Sequence, residues 1–294
     1  MGKLSGRVAV ITGSTRGLGL GIAQAYAREG AAVVISSRSA AAVDNTVNAF
    51  LAQGVQATGV ACDVADLDQV RALGQHALDS FGHYEIWVNN AGLSGPYGPT
   101  MSVAPEQFVQ VTRTNTLGVY FGSLVAMQYF VPRRRGKLIN MLGRGSDKPV
   151  PYQSAYASSK VWVRNFTLSV AEEYKESGVG VYAFNPGLVV TDMLENVTAI
   201  QGYDKAVRAL EKVVQLWGNA PHVPAERAVW LASSATNGKT GLEVNVLGPV
   251  QVATGLLKAG ARRLLGKPGR PFQLRVTAIP PYSEAEGAAE YNRG

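Results

Sequence analysis

From its amino end the chain alternates short apolar, β-branched runs with longer stretches of helical period. Residues 7–12 (Arg-Val-Ala-Val-Ile-Thr) read as a buried strand. Residues 17–29 then place Leu18, Ile22, Ala25 and Tyr26 at helical spacing, and Gly30 ends the pattern. The alternation continues with strands expected at 32–36, 57–61, 85–89, 137–141, 180–184 and 242–246. Helices are expected at 40–53, at 66–80, on a long path toward Phe130, and at 152–177. Strands that alternate with helices require crossover connections, hence a parallel sheet covered on both faces. The predicted fold is a doubly wound α/β domain with a seven-stranded parallel sheet over residues 1–248, followed by a C-terminal extension at 249–294. Ligands of such folds sit at the carboxyl ends of the strands.

Composition narrows the classes. With 294 residues, 46% apolar and 17% charged, the chain has an ordinary globular balance and is not a disordered one. The single cysteine, Cys62, excludes an internal disulfide framework and a cysteine-rich zinc site. The three histidines carry no metal-ligand spacing, so no metal is expected. The first residues show neither a secretory h-region nor a myristoylation signal. The longest mainly apolar stretch, 117–131, is too short to span a bilayer. A cytoplasmic protein without an integral membrane segment is therefore expected. The net charge is +7, and residues 249–294 hold seven basic and three acidic residues of it. The excess thus lies largely in the extension and does not call for a nucleic-acid partner.

Glycine is the stronger compositional signal: 33 are present, where an average chain of this length carries about 20. Gly13-Ser14-Thr15-Arg16-Gly17-Leu18-Gly19 lies between the first strand and the first helix. Glycines admit a phosphate close to the backbone, and the helix start offers free N–H groups. The spacing differs from the usual G-x-G-x-x-G. At the end of the second strand, where an NAD site places a carboxylate for the ribose, the chain reads Ile35-Ser-Ser-Arg38. Arg16, Arg38 and Ser37 suit a 2′-phosphate, so NADP(H) is the expected cofactor; the bland alternative is two solvated surface arginines.

Tyr156-Ala-Ser-Ser-Lys160 puts a phenol and an amine at i and i+4 on one helix face. An ammonium beside a phenol lowers the phenol pKa, and a phenol so tuned exchanges a proton with a substrate oxygen. Alone, this pair arises readily by chance. In the order of its motifs, however, the chain resembles the short-chain dehydrogenase/reductase family from about residue 7 to 248. The resemblance rests on the glycine turn, Asp63-Val64 after the third strand, Asn89-Asn90-Ala91-Gly92 after the fourth, Asn115, the Tyr156/Lys160 pair and Asn185-Pro186-Gly187 with Thr191. It implies a Rossmann-type fold and hydride transfer between NADP(H) and a carbonyl or secondary alcohol. It further implies Tyr156 as general acid/base, Lys160 on the nicotinamide ribose and Asn115 holding a water that links Lys160 to solvent. Asp63 and Val64 would meet the adenine; Asn90, Ala91 and Gly92 would line the cofactor. Pro186, Gly187 and Thr191 would hold the nicotinamide carboxamide. A homodimer or homotetramer is implied in the same way.

The pattern breaks at one position. Thirteen residues before the tyrosine, where the family usually has serine, stands Gly143. Three readings follow: Arg144, Ser146 or Gln153 supplies the missing donor; the substrate needs less polarisation; or carbonyl reduction has given way to a non-redox or regulatory role. A glycine there also suggests open space for a bulkier substrate. Residues 188–223, rich in Leu, Val, Ala and Tyr, are expected to cover the substrate, with Met193 and Trp217 among the lining and an apolar or aromatic small molecule as ligand. In the extension, residues 256–265 read as a short basic amphipathic helix that packs on protein rather than on a membrane, and 266–281 as extended chain.

Overall fold

The computed structural model describes residues 2–248, 253–255, 257 and 272–283. Seven parallel strands form the main sheet: β1 (Val8–Thr12), β2 (Ala32–Ser37), β3 (Ala57–Ala61), β4 (Ile86–Asn89), β5 (Gly136–Met141), β6 (Val179–Asn185) and β8 (Leu242–Asn245). Their order across the sheet is β3-β2-β1-β4-β5-β6-β8, and β7 (Asn196–Ile200) lies outside it. The chain walks outward from β1 to β3, then returns to the other side of β1 with β4. That reversal opens a crevice at the carboxyl ends of β1 and β4.

The period-2 pattern of the strands divides the core into two layers. In β1, Ala9 and Ile11 face one layer while Val8 and Val10 face the other; in β2, Val33 and Ile35 part from Ala32 and Val34 in the same way. The first layer is covered by α1 (Gly17–Arg28), α2 (Ala40–Leu51) and α9 (His222–Ala232) through Ile22, Tyr26, Val43, Phe50, Ala228 and Leu231. The second is covered by α3 (Leu67–Phe81), α5 (Gly118–Phe130) and α6 (Ser154–Glu173) through Leu73, Ala77, Ala126, Phe130 and Val170. A buried amide network joins the second layer to the sheet. Asn89 Nδ2 donates to Asn140 Oδ1 (2.8 Å), Asn140 Nδ2 to Thr167 Oγ1 (3.0 Å), and Trp87 Nε1 to Asn89 Oδ1 (2.8 Å).

The expected strands and helices are present, with local differences. The path toward Phe130 is not one regular helix. It runs through α4 (Pro105–Thr112), a π-helical turn (Arg113–Leu117) and α5. The helix expected from residue 152 begins at Ser154, because Tyr152 stands at φ +67°, outside helical space. Within 188–223 lie a one-turn α7 (Asp192–Glu195), strand β7 and α8 (Asp204–Trp217).

Strand β7 pairs in parallel with β9 (Arg275–Ile279), from Asn196 opposite Arg275 to Ile200 opposite Ile279. The stretch read only as extended chain is thus a strand whose partner lies in the covering segment. Tyr97, Val197, Ala199, Val207 and Leu274 form a small core of their own there, with Leu210, Phe272 and Val276 packed against it. Glu211 Oε1 accepts from Leu274 N (3.1 Å) and Ser102 O from Tyr282 N (3.0 Å). The helix expected over 256–265 falls almost wholly outside the described residues.

Candidate active site

The crevice at the carboxyl ends holds a cavity of about 330 Å3 that runs from the glycine turn to the covering segment. At one end, Gly13 and Gly17 adopt φ of +63° and +56°, which glycine accepts without penalty. A Cβ on Gly13 would stand 2.9 Å from the Ala91 backbone, and one on Gly19 would collide with the Gly13 carbonyl. The turn is held by its neighbour across the sheet. Asn90 Nδ2 donates to Thr12 O (2.9 Å) and Gly13 O (3.1 Å), and Thr12 Oγ1 accepts from the N–H groups of Asn90 (3.0 Å) and Ala91 (3.1 Å). Helix α1 starts at Gly17 without a side-chain cap and without an acid in its first turn. Its first N–H groups and positive dipole end are therefore left for an anion. The cradle fits a dinucleotide pyrophosphate.

Thr15, Arg16, Gly17, Leu18 and Gly19 line this end, together with Ser37, Arg38, Asp63 and Val64. Asn90, Ala91 and Gly92 also line the cavity, as do Pro186 and Gly187, which lead into the covering segment, and Thr191 within it. Ser14 is not in the wall. Its hydroxyl donates to Ile11 O (2.7 Å) and accepts from Ser36 N (3.0 Å), so the side chain joins β1 to β2. Cys62 lines the cavity as well, its thiol pushed up to about 12 by burial. Arg16 reaches Asp192 of α7 at 3.9 Å, a contact between the glycine turn and the covering segment that has no local sequence signal.

Tyr156 and Lys160, on successive turns of α6, both line the cavity. Lys160 Nζ donates to Met141 O at 2.9 Å and stands 5.6 Å from the centre of the Tyr156 ring. The amine thus points to the end of β5, not to the phenol. Desolvation governs both groups: it pushes the Tyr156 phenol up to about 12 and lowers the Lys160 amine to about 8. The lowered phenol pKa expected from the pairing is not seen, because enclosure outweighs an amine whose hydrogen bond goes elsewhere. Asn115 sits in the π-helical turn, fully buried and outside the wall. Its side chain donates to Leu93 O (2.9 Å) and Ser159 Oγ (3.0 Å) and accepts from Leu93 N (2.8 Å). It ties the loop after β4 to the face of α6 that carries Tyr156 and Lys160.

The space beside Gly143 is not open. A Cβ there would collide with Tyr156 Oη and come within 3.1 Å of the ring carbon that bears it. The expectation of extra substrate room is corrected: the phenol itself fills the place. Of the three candidate donors, Arg144 and Gln153 line the cavity, whereas Ser146 is buried outside it, its N–H on Gly143 O at 3.2 Å. Met193 borders the cavity. Trp217 does not; its indole packs against Gly255. Val197 of β7 and Leu210 of α8 complete the apolar end, which sequence reasoning missed because β7 was not foreseen.

Comparison with known proteins agrees with this geometry. The sequence model described as short chain dehydrogenase matches residues 7–202. The chain is 34% identical to 3beta-hydroxysteroid dehydrogenase 1 of Eggerthella lenta over 256 residues, 86% of this chain and 96% of that protein. It is 30% identical over 280 residues to a protein of Oryza sativa subsp. japonica named as a probable chloroplastic chlorophyll(ide) b reductase, covering 89% of this chain but about half (54%) of that relative. Among solved structures, a gluconate 5-dehydrogenase from Burkholderia cenocepacia, in complex with NADP and tartrate, superposes with a TM-score of 0.75. That match has 27% identity and covers 85% of this chain and 96% of the other. With its parallel sheet, its glycine cradle and a family match over two-thirds of its length, the chain belongs to the short-chain dehydrogenase family.

Proposed function

We propose that the protein is an NADP(H)-dependent oxidoreductase acting on a carbonyl or secondary alcohol of a moderately sized apolar or aromatic substrate. The observation that carries this reading is the placement of Tyr156 and Lys160 on the wall of the cavity that also contains the glycine cradle. The dinucleotide supplies or accepts the hydride when bound. The protein's own residues do the rest. The glycine turn and the start of α1 bind the pyrophosphate, Arg16, Ser37 and Arg38 the 2′-phosphate, and Asp63 and Val64 the adenine side. Lys160 binds the nicotinamide ribose, while Pro186, Gly187 and Thr191 hold the carboxamide. Tyr156 gives its proton to the substrate oxygen in reduction and removes it in oxidation. Asn115 positions the face on which both groups stand.

A second reading keeps the cofactor but not the net redox change, and Gly143 favours it, since no hydroxyl stands there to polarise a carbonyl. A substrate panel that compares cofactor consumption with product mass tests both. Stoichiometric NADPH oxidation with a product two mass units heavier supports reduction. Product formation without cofactor consumption overturns it in favour of isomerisation or dehydration, and cofactor binding without product overturns it in favour of a regulatory role.

The cofactor preference has its own test. Arg16 and Arg38 are exposed at the cavity edge and no acid stands at the end of β2. Replacing both by glutamine is expected to weaken NADPH binding about 10–100-fold while NADH is unaffected, because the two charge-assisted contacts, made by exposed side chains, are together worth about 1.5–3 kcal/mol. Fluorescence titration with both cofactors checks it; equal weakening of the two removes the assignment. In the same reading the protein is a cytoplasmic homodimer or homotetramer. Leu117, Tyr120, Val161 and Trp162, large apolar residues exposed on the π-helical turn, α5 and α6, support the association. No described helix is long and apolar enough to cross a membrane.

A further inference from the structure

Arg144 follows Gly143 in the loop between β5 and α6, and it lines the cavity. Its Nη1 donates to Tyr97 Oη at 2.9 Å. That phenol is a fixed acceptor. Tyr97 is 6% exposed, and its backbone is stitched to β7 by Tyr97 N to Thr198 O (2.8 Å) and Ile200 N to Tyr97 O (2.7 Å). Burial raises the Tyr97 phenol pKa, so it stays neutral; Arg144 itself is exposed, and its charge faces solvent rather than an acid.

No carboxylate answers that charge. Among the described residues Arg144 makes no ion pair. The cavity wall holds two carboxylates, Asp63 below the end of β3 and Asp192, whose ion pair goes to Arg16. Leu93, Leu142, Val197 and Leu210 give the wall apolar surface, and Ser94 and Gln153 add neutral polar groups to it. A guanidinium offers five N–H donors in a planar fork that matches a carboxylate, and the Tyr97 bond uses one of them.

We infer that Arg144, aimed by Tyr97, binds a carboxylate of the substrate, so that the preferred substrate is an oxo or hydroxy acid with an apolar body. This rests on the oxidoreductase reading and names the substrate class within it. Arg144 sets specificity, and Tyr97 is a positioning residue.

Calorimetric titration of the NADP+-saturated protein with octanoate, decanoate and their primary amides tests it. The acids are expected to bind at least about 10-fold more tightly than the amides. Arg144→Gln is expected to weaken the acids about 10–100-fold and to leave the amides and NADP+ unchanged. Tyr97→Phe is expected to give an intermediate loss, and Arg144→Lys to restore part of the preference. Equal affinity for acid and amide, no binding of either, or equal loss of both in Arg144→Gln overturns the inference. Failure of NADP+ itself to bind strikes instead at the underlying reading, and the two failures are separated in one experiment.

Discussion

Tyr156→Phe is expected to lower turnover by about 10²–10⁴-fold, with cofactor affinity nearly unchanged. The substitution removes one oxygen and keeps the ring that lines the cavity. Steady-state rates on any accepted substrate, beside NADPH titration of the same variant, check it; equal turnover in both proteins ends the catalytic assignment. The direction of the pH response follows from enclosure. With its phenol pushed up to about 12, Tyr156 is protonated across the neutral range and is ready to donate in reduction. In oxidation the phenolate is needed, so that rate is expected to climb with pH through the alkaline range until the phenol titrates. Cofactor and substrate charges shift the midpoint, and Lys160, lowered to about 8 by burial, becomes a better cation when an anionic dinucleotide lies beside it.

Gly143→Ser is expected to damage the enzyme, although it introduces the residue that the family usually carries. The Cβ would occupy the place of Tyr156 Oη, so the ring must leave its position or the loop must move. Overpacking of this kind costs about 1–3 kcal/mol, which for a chain of this size is a fall in Tm of about 2–10 °C. Displacing the proton donor adds a loss of at least about 10-fold in turnover, since a small misplacement at a reacting group is costly. Gly143→Ala separates the causes: it brings the same Cβ without the hydroxyl. Both variants are expected to lose stability and activity together by thermal melt and steady-state assay. A Ser variant with unchanged Tm and higher turnover on simple ketones shows that Tyr156 yields freely, and sinks the steric argument.

What was legible in the sequence was written in local patterns. The alternation of Val8, Ala9, Val10 and Ile11 marks a strand buried on both faces, and the sheet sorts those side chains into two layers as that pattern requires. The glycine turn spans seven residues and the Tyr156/Lys160 pair five; neither spacing speaks alone, and it is their order among the other motifs along the chain that makes them legible. What stayed hidden depends on chain segments that meet from afar. Asn196–Ile200 buries Val197, Ala199 and Ile200, but its partner strand begins 75 positions later, and nothing within five residues announces the pairing. Ser146 offered a hydroxyl at a plausible place in sequence, and only the path of the loop shows it buried beyond the cavity. The relation of Gly143 to Tyr156 is likewise a matter of where β5 ends against α6.

The pairing of β7 with β9 has a consequence for the order in which the molecule is made. Every strand of the main sheet, the glycine cradle and both residues of the Tyr156/Lys160 pair are already synthesised once Asn245 has been added. Strand β7 then still lacks the neighbour it pairs with at 275–279. Domains fold from the amino end as they emerge, so the nascent chain completes its nucleotide cradle first and the wall facing the other reactant last. Maturation of the two halves of the cavity is thereby separated in time by the synthesis of the segment between β8 and β9.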